Sequence, residues 1–212
     1  MIEHREYHKL KGEKTVEGTE RIKAFSDGVI AIVMTLLVLE IRVPEIHQFT
    51  SAGVIAAFVP IIPKLVGFAV SFLTVAIFWV NHHHFFDPIE KTNGRLLWHN
   101  NFLLFWVAVV PFVTAFIGDY PYISFVVALY GFVLFMAVSA FSMMSNYVFF
   151  HSSLVPESVT QKVRIREFRR SLPAVVLYCV SIFTAFLNPY ISLALFILLP
   201  LYYFVPSRIE TE

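Results

Sequence analysis

The sequence predicts an all-α, polytopic membrane protein with six transmembrane helices. Three observations carry that prediction. Hydrophobic residues make up 58% of the 212-residue chain and mean hydropathy is +0.71, whereas charged residues are only 15%, against about 25% in soluble domains. The apolar residues fall in long runs separated by short polar or proline-containing connections. With the N-terminus inside, all 16 Lys and Arg residues fall on the inner side except Arg42 and Lys64, the asymmetry of the positive-inside rule. An even number of spans is needed to keep that balance.

Residues 1–20 are polar and mixed in charge and read as a cytosolic tail. Its Glu residues nearly balance its Lys and Arg, which argues against a basic regulatory arm. It lacks the apolar stretch and small-residue cleavage site of a removable signal peptide. The first span follows, from Phe25 to Val43, long enough for a hydrocarbon core of roughly 30 Å. Ile32, Thr35, Leu36 and Leu39 recur at helical spacing and form one stripe. Asp27 projects roughly 140° round the helix from Ile32. Carboxylate and stripe must therefore face different surroundings.

Arg42, Pro44, Glu45, His47 and Gln48 mark a return to water. Ser51–Ile62, apolar but containing Pro60, reads as a short interfacial or re-entrant helix. The second span runs from Pro63 to Phe86, with Lys64 placed to snorkel towards the headgroups. It ends in Trp79, His82, His83, His84 and Phe86. Adjacent side chains diverge on a helix, so the three histidines cannot all ligate one ion, and no spacing completes a zinc site. Hydrogen bonding is the reading favoured for these imidazoles. An unpaired carboxylate in apolar surroundings is costly, so Asp27 requires a donor-rich neighbour.

The third span, Leu96–Ile117, contains Pro111, expected to kink it, and ends in a turn at Gly118–Pro121. His99 and Asn101 are read as facing solvent. The fourth, Tyr122–Met144, carries Gly131, Ser139 and Ser142, small residues that favour close helix contact. Pro156 is expected to start a short helix, followed by the run KVRIREFRR, which either binds anionic lipid or is a solvated loop with topogenic charge. Leu172–Leu187 and Ile191–Val205, split by Asn188 and Pro189, form a helical hairpin or, alternatively, one broken span. Cys179 is the single cysteine, so no intrachain disulfide is available. The net charge of +1 gives no support to nucleic-acid binding.

Arg21, Phe25, Ser26 and Asp27 match an RxxxFSD signature, and the chain resembles the transmembrane protein 175 family of potassium channels through GVIAIVMTLLVLEI. Trp79, His82 and His83 are similar to the family's WxxHHxxF pattern. Leu96, Leu97, Trp98 and Asn100, then Pro111, Phe112 and Thr114, resemble its LLWxN and PFxTA elements. A single signature implies a single-repeat, prokaryotic-type member, covering residues 21–206 as a six-helix channel domain, with residues 207–212 as a cytosolic C-terminal tail. The resemblance implies a homotetramer whose first helices line a potassium-permeable pore in the cell membrane, both termini cytoplasmic. It also implies that Arg21, Ser26, Asp27, Trp79, His82, His83 and Asn100 form a structural network, with Ser26 and Asp27 meeting Trp79 and either His82 or His83.

On that arrangement Ile32, Thr35, Leu36 and Leu39 become stacked rings, mostly hydrocarbon, able to block ions by dewetting. Ile32 is the candidate constriction. Thr35 either helps coordinate a partly dehydrated cation or bonds back to the carbonyl of Ala31. Glu40 concentrates cations or pairs with Arg42. The resemblance implies modest selectivity for potassium over sodium, contact with membrane lipid, and no cofactor beyond the permeant potassium or other monovalent cation. The alternative is a proton-conducting or ion-coupled transporter using Asp27 and His82 or His83 as a relay. A non-conducting scaffold would need no continuous pore. An enzyme is disfavoured, because no nucleophile–base pair, phosphate loop or complete metal set is present.

Overall fold

The structure is a computed structural model that describes the backbone of residues 2–204 and the side chains of residues 18–201. Its described residues form helices and connections, with no strand among them. The helices are α1 (Ile2–Leu39), α2 (Ser51–Phe58), α3 (Ile62–Phe86), α4 (Gly94–Asp119), α5 (Ser124–Phe150), α6 (Gln161–Leu187) and α7 (Pro189–Phe204). Among the described residues five stretches are long and apolar enough to cross a membrane: Gly18–Leu39, Ser51–Phe86, α4, α5 and α6. The 16-residue α7 reaches about 24 Å, short of a full hydrocarbon core unless neighbours or local thinning make up the rest. The protein is an all-helical, multi-pass membrane protein.

Three element boundaries differ from the sequence reading. The polar stretch 1–20 is helical from Ile2 and continuous with the first span. The charge run belongs to a helix: α6 begins at Gln161, and Pro156 lies in the connection before it. Arg164 explains the change, since its guanidinium donates to the carbonyls of Phe149, Pro156 and Val159 at 3.1–3.3 Å and folds the connection against the helix. The fourth span, α5, continues past Met144 to Phe150, carrying Val148 and Phe149 into the core. The 207–212 tail lies outside the described residues.

Proline punctuation works as expected after the first span. Pro60 removes an amide from the middle of Ser51–Phe86, and the chain passes through a 3₁₀ turn at Val59–Ile61 between α2 and α3. By contrast α4 runs through Pro111 unbroken, with that residue buried. The core centres on α4 and α5, whose spans are the most enclosed of the five. On one side α1 packs against α3 and α4; on the other, α6 and α7 pack against α5. Gly131 permits that second contact, because a Cβ there would meet Ser181 Oγ at 2.8 Å and Phe196 Cζ at 3.2 Å.

Buried hydroxyls tie the helices in the middle of the bundle. Thr114 Oγ1 donates to Ser71 Oγ at 2.7 Å, and Ser71 Oγ is 2.8 Å from the Tyr130 hydroxyl, linking α4, α3 and α5. At one end the α3–α4 and α5–α6 connections close together: Glu90 N donates to Leu154 O at 3.1 Å above buried Ile89, Leu154 and Val155. At the other end Lys64 pairs with Asp119.

Candidate pore helix and its polar anchor

Helix α1 has two faces of different fate. Ile22, Ser26, Ile30, Val33 and Leu37 are buried against the body of the subunit, and at 100° per residue they fall within an arc of roughly 80°. The stripe Ile32, Thr35, Leu36, Leu39 centres roughly 130° away. It is exposed, with Ile32 at 60%, Leu36 at 43% and Leu39 at 70%. A buried face and an equally apolar outward face on one helix leave the second available to lipid or another subunit.

The Thr35 hydroxyl donates to the carbonyl of Ile32 at 2.8 Å, one residue along from the Ala31 carbonyl of the alternative reading. Its lone pairs stay on the exposed stripe, so this bond does not remove the oxygen as a cation acceptor.

Ser26 lies within the buried face of α1 and Asp27 beside it, and the two find separate partners. Trp79 Nε1 on α3 donates to Asp27 Oδ1 at 2.9 Å. Ser26 is fully buried and receives the Asn100 amide at 2.9 Å from α4. Asn100 Oδ1 lies 2.8 Å from His82 Nε2 on α3, and both residues are buried. Because amide oxygen only accepts, the imidazole carries the proton on Nε2 in this bond. Asn100 therefore bridges three helices, using both ends of one amide.

This arrangement corrects part of the sequence reading. Ser26 meets His82 through Asn100 rather than directly. His83 is exposed and takes no part in these hydrogen bonds; its ring lies 6.1 Å from that of Trp79. Arg21 is exposed and is likewise outside them. His99 does not simply face solvent: it is half-buried and stacks on Tyr147 at 5.0 Å and 6°, with Nδ1 against the Arg95 carbonyl. The other solvent assignment, Asn101, is exposed.

Two further polar residues were not singled out in the sequence. Asn93 caps α4 by accepting from Leu96 N at 2.9 Å and donates its amide to the Tyr147 hydroxyl at 2.8 Å. The N-cap signal, an Asn before an apolar run, was present in the sequence. Tyr147 had no local signal, because its role depends on α5 crossing α4. Among the described residues no three His, Cys, Asp or Glu side chains converge as metal ligands.

Comparison with known proteins agrees with this architecture. The family model described as "Endosomal/lysosomal potassium channel TMEM175" matches residues 21–111, which contain α1 from Arg21, the whole anchor and α4 up to Pro111. A protein from Chryseobacterium sp. named as a potassium channel is 35% identical over 188 residues, covering 89% of this chain and 93% of its own length. The crystal structure of a lysosomal potassium-selective channel TMEM175 homolog from Chamaesiphon minutus superposes with a TM-score of 0.79 at 27% identity, covering 88% of this chain and 96% of that one. The Rattus norvegicus endosomal/lysosomal proton channel TMEM175 is 37% identical over 98 residues, which span 43% of this chain and 20% of the rat protein. These relatives are named as channels, not enzymes. Matched over most of its length by a bacterial relative and over only a fifth of a vertebrate one, the chain belongs to the TMEM175 channel family in its single-repeat, prokaryotic form.

Proposed function

We propose that the protein is a potassium-permeable cation channel, assembled as a homotetramer in the cell membrane with α1 of each subunit facing the shared axis. The observation that carries this reading is the exposure of the Ile32–Leu36–Leu39 stripe on a helix whose other face is tied to the subunit by Asp27–Trp79 and Ser26–Asn100–His82. Around an axis the stripe becomes stacked apolar rings, with Ile32 as the constriction. Such a ring holds water poorly, so a small dilation switches conduction without moving a charged gate. Thr35 is the one hydroxyl in that lining, and it contributes an oxygen for a partly dehydrated cation. Selectivity for potassium over sodium is then modest, because no ring of carbonyls replaces the hydration shell. The positive-inside distribution of Lys and Arg supports cytoplasmic termini. No cofactor is called for beyond the permeant ion.

Proton conduction is the second reading, favoured by the name of the rat relative. The side chains argue against a direct relay. Asp27 is bonded to the Trp79 indole, which only donates, whereas His82 is bonded to Asn100. Neither partner passes a proton between the two titratable groups.

Potassium flux into liposomes bearing the purified protein tests the assignment. Ile32→Asn is expected to raise flux, and Asp27→Ala to lose assembly. An unchanged flux in I32N, together with a D27A protein that stays assembled but no longer moves protons, would replace the pore reading with the relay.

A further inference from the structure

The basic run on α6 is not used by the channel reading, yet it borders a cavity of the subunit. About 760 Å³ of empty space, counting the open mouth, lies between α3, α5, α6 and α7. It sits at the same end of the bundle as the polar anchor, on a different side of α3: Asn81, His84 and Phe85 line it while His82 turns to Asn100. Much of its wall is hydrocarbon or aromatic, including Phe78, Phe141, Ala174 and Leu199. Exposed His84 and Arg170 and half-buried Glu167 also line it.

Two independent features point to an amphipathic, anionic guest. The first is Ser145, which lines the cavity, is 1% exposed, and has a hydroxyl with no hydrogen-bond partner. A buried hydroxyl left unpaired is costly, so an occupant carrying oxygen is favoured over a purely apolar one. The second is the charge pattern of α6. Lys162, Arg166, Arg169 and Arg170 are all exposed, and the helical period places them within an arc of roughly 100°. Arg164 points the opposite way, onto the connection. Glu167 is paired with Arg166 at 3.4 Å, and the stripe as a whole remains cationic. Just beyond Arg170 the helix becomes apolar at Leu172, so the cations stand at the depth where lipid phosphates lie.

We propose that this cavity binds an anionic phospholipid. One acyl chain occupies the apolar part, the phosphate meets the Arg170 guanidinium in the bidentate geometry that arginine favours, and the ester oxygens supply the partner that Ser145 lacks. The site goes beyond the proposed conduction pathway and does not depend on it, because binding is read directly on the purified protein.

Native mass spectrometry of the full-length protein in detergent, titrated separately with phosphatidylglycerol and phosphatidylcholine, tests the site. The wild type is expected to retain phosphatidylglycerol in preference to phosphatidylcholine. Arg170→Gln should weaken that retention about tenfold, the scale of one lost charge-assisted contact. Ala174→Phe should abolish retention of both lipids by filling the cavity. Arg170 is on the surface, so R170Q tests the proposal even where A174F fails to fold. Equal retention of the two lipids, or undiminished retention in R170Q, would overturn it. Full displacement of the lipid by inorganic phosphate would mean an anion site without a lipid. Retention that appears only after truncation following Phe204 would assign the cavity to residues 205–212 instead.

Discussion

Asp27 and Trp79, 52 residues apart in sequence, are joined by a 2.9 Å hydrogen bond from the indole to the carboxylate across the α1–α3 contact. The bond lies at the edge of the face that α1 buries, with the pore-candidate stripe on the other side of the helix. It thus resists rotation of α1 about its own axis, and rotation is what would turn Ile32 away from a shared centre.

Removing either partner should therefore loosen the same contact. Trp79→Phe keeps the ring but deletes the donor, and is expected to cost about 1–2 kcal/mol, the scale of a hydrogen bond to a charged group that retains some solvent access. The double variant with Asp27→Ala should be little worse than D27A alone. Thermal melting of the detergent-solubilised protein measures both; fully additive losses would mean that the two residues act separately.

Asn100 carries a larger share of the anchor. Asn100→Ala leaves buried Ser26 and His82 each without this partner, and the expected loss is about 2–4 kcal/mol. Since α4 itself is tied elsewhere through Ser71 and Thr114, the subunit should still fold while α1 loosens. Hydrogen exchange of α1 and α4 amides tests this: protection should drop in α1 and persist in the middle of α4. Equal loss in both would place Asn100 in the folding core rather than in the anchor.

Thr35 separates conduction from stability. Its hydroxyl bonds only to the local Ile32 carbonyl and is exposed, so Thr35→Val should alter stability by no more than about 0.5 kcal/mol. Under the pore reading the same change removes the one oxygen in the lining, and the potassium-to-sodium permeability ratio should shift by about twofold or more. Reversal potentials under bi-ionic conditions provide the measurement. An unaltered ratio in a well-folded variant would remove Thr35 from the pathway.

Gly131 is expected to tolerate no side chain. The Ser181 hydroxyl that a Cβ would strike is held by the Tyr178 carbonyl at 2.7 Å and cannot simply swing away. Gly131→Ala should lower stability by about 1–3 kcal/mol through the α5–α6–α7 contact. A melting temperature equal to that of the wild type would show that this contact has room to adjust.

Much of the anchor was readable as a pattern before any folding. Ser26 and Asp27 stood out as polar residues at the start of an apolar run, and Trp79 and His82 shared one helical face. Asn100 could have been placed more firmly, because it falls on the α4 stripe of Leu96, Leu103 and Val107 while Asn101 lies off it. What the pattern left open was the choice between His82 and His83. Adjacent residues differ by roughly 100° on a helix, and only the position of α4 shows that His82 is the one turned inward.

The sequence by itself determined the membrane class, the order of apolar spans and the two-faced character of α1. These follow from length, composition and the helical period, which are properties of neighbours along the chain. Tertiary structure alone decided that Asn100 bridges Ser26 to His82, that Lys64 pairs with Asp119, and that Arg164 folds the α5–α6 connection so that the basic run becomes helix. Each of those contacts joins segments whose separation in sequence carries no period, so their meeting is set by how whole helices pack.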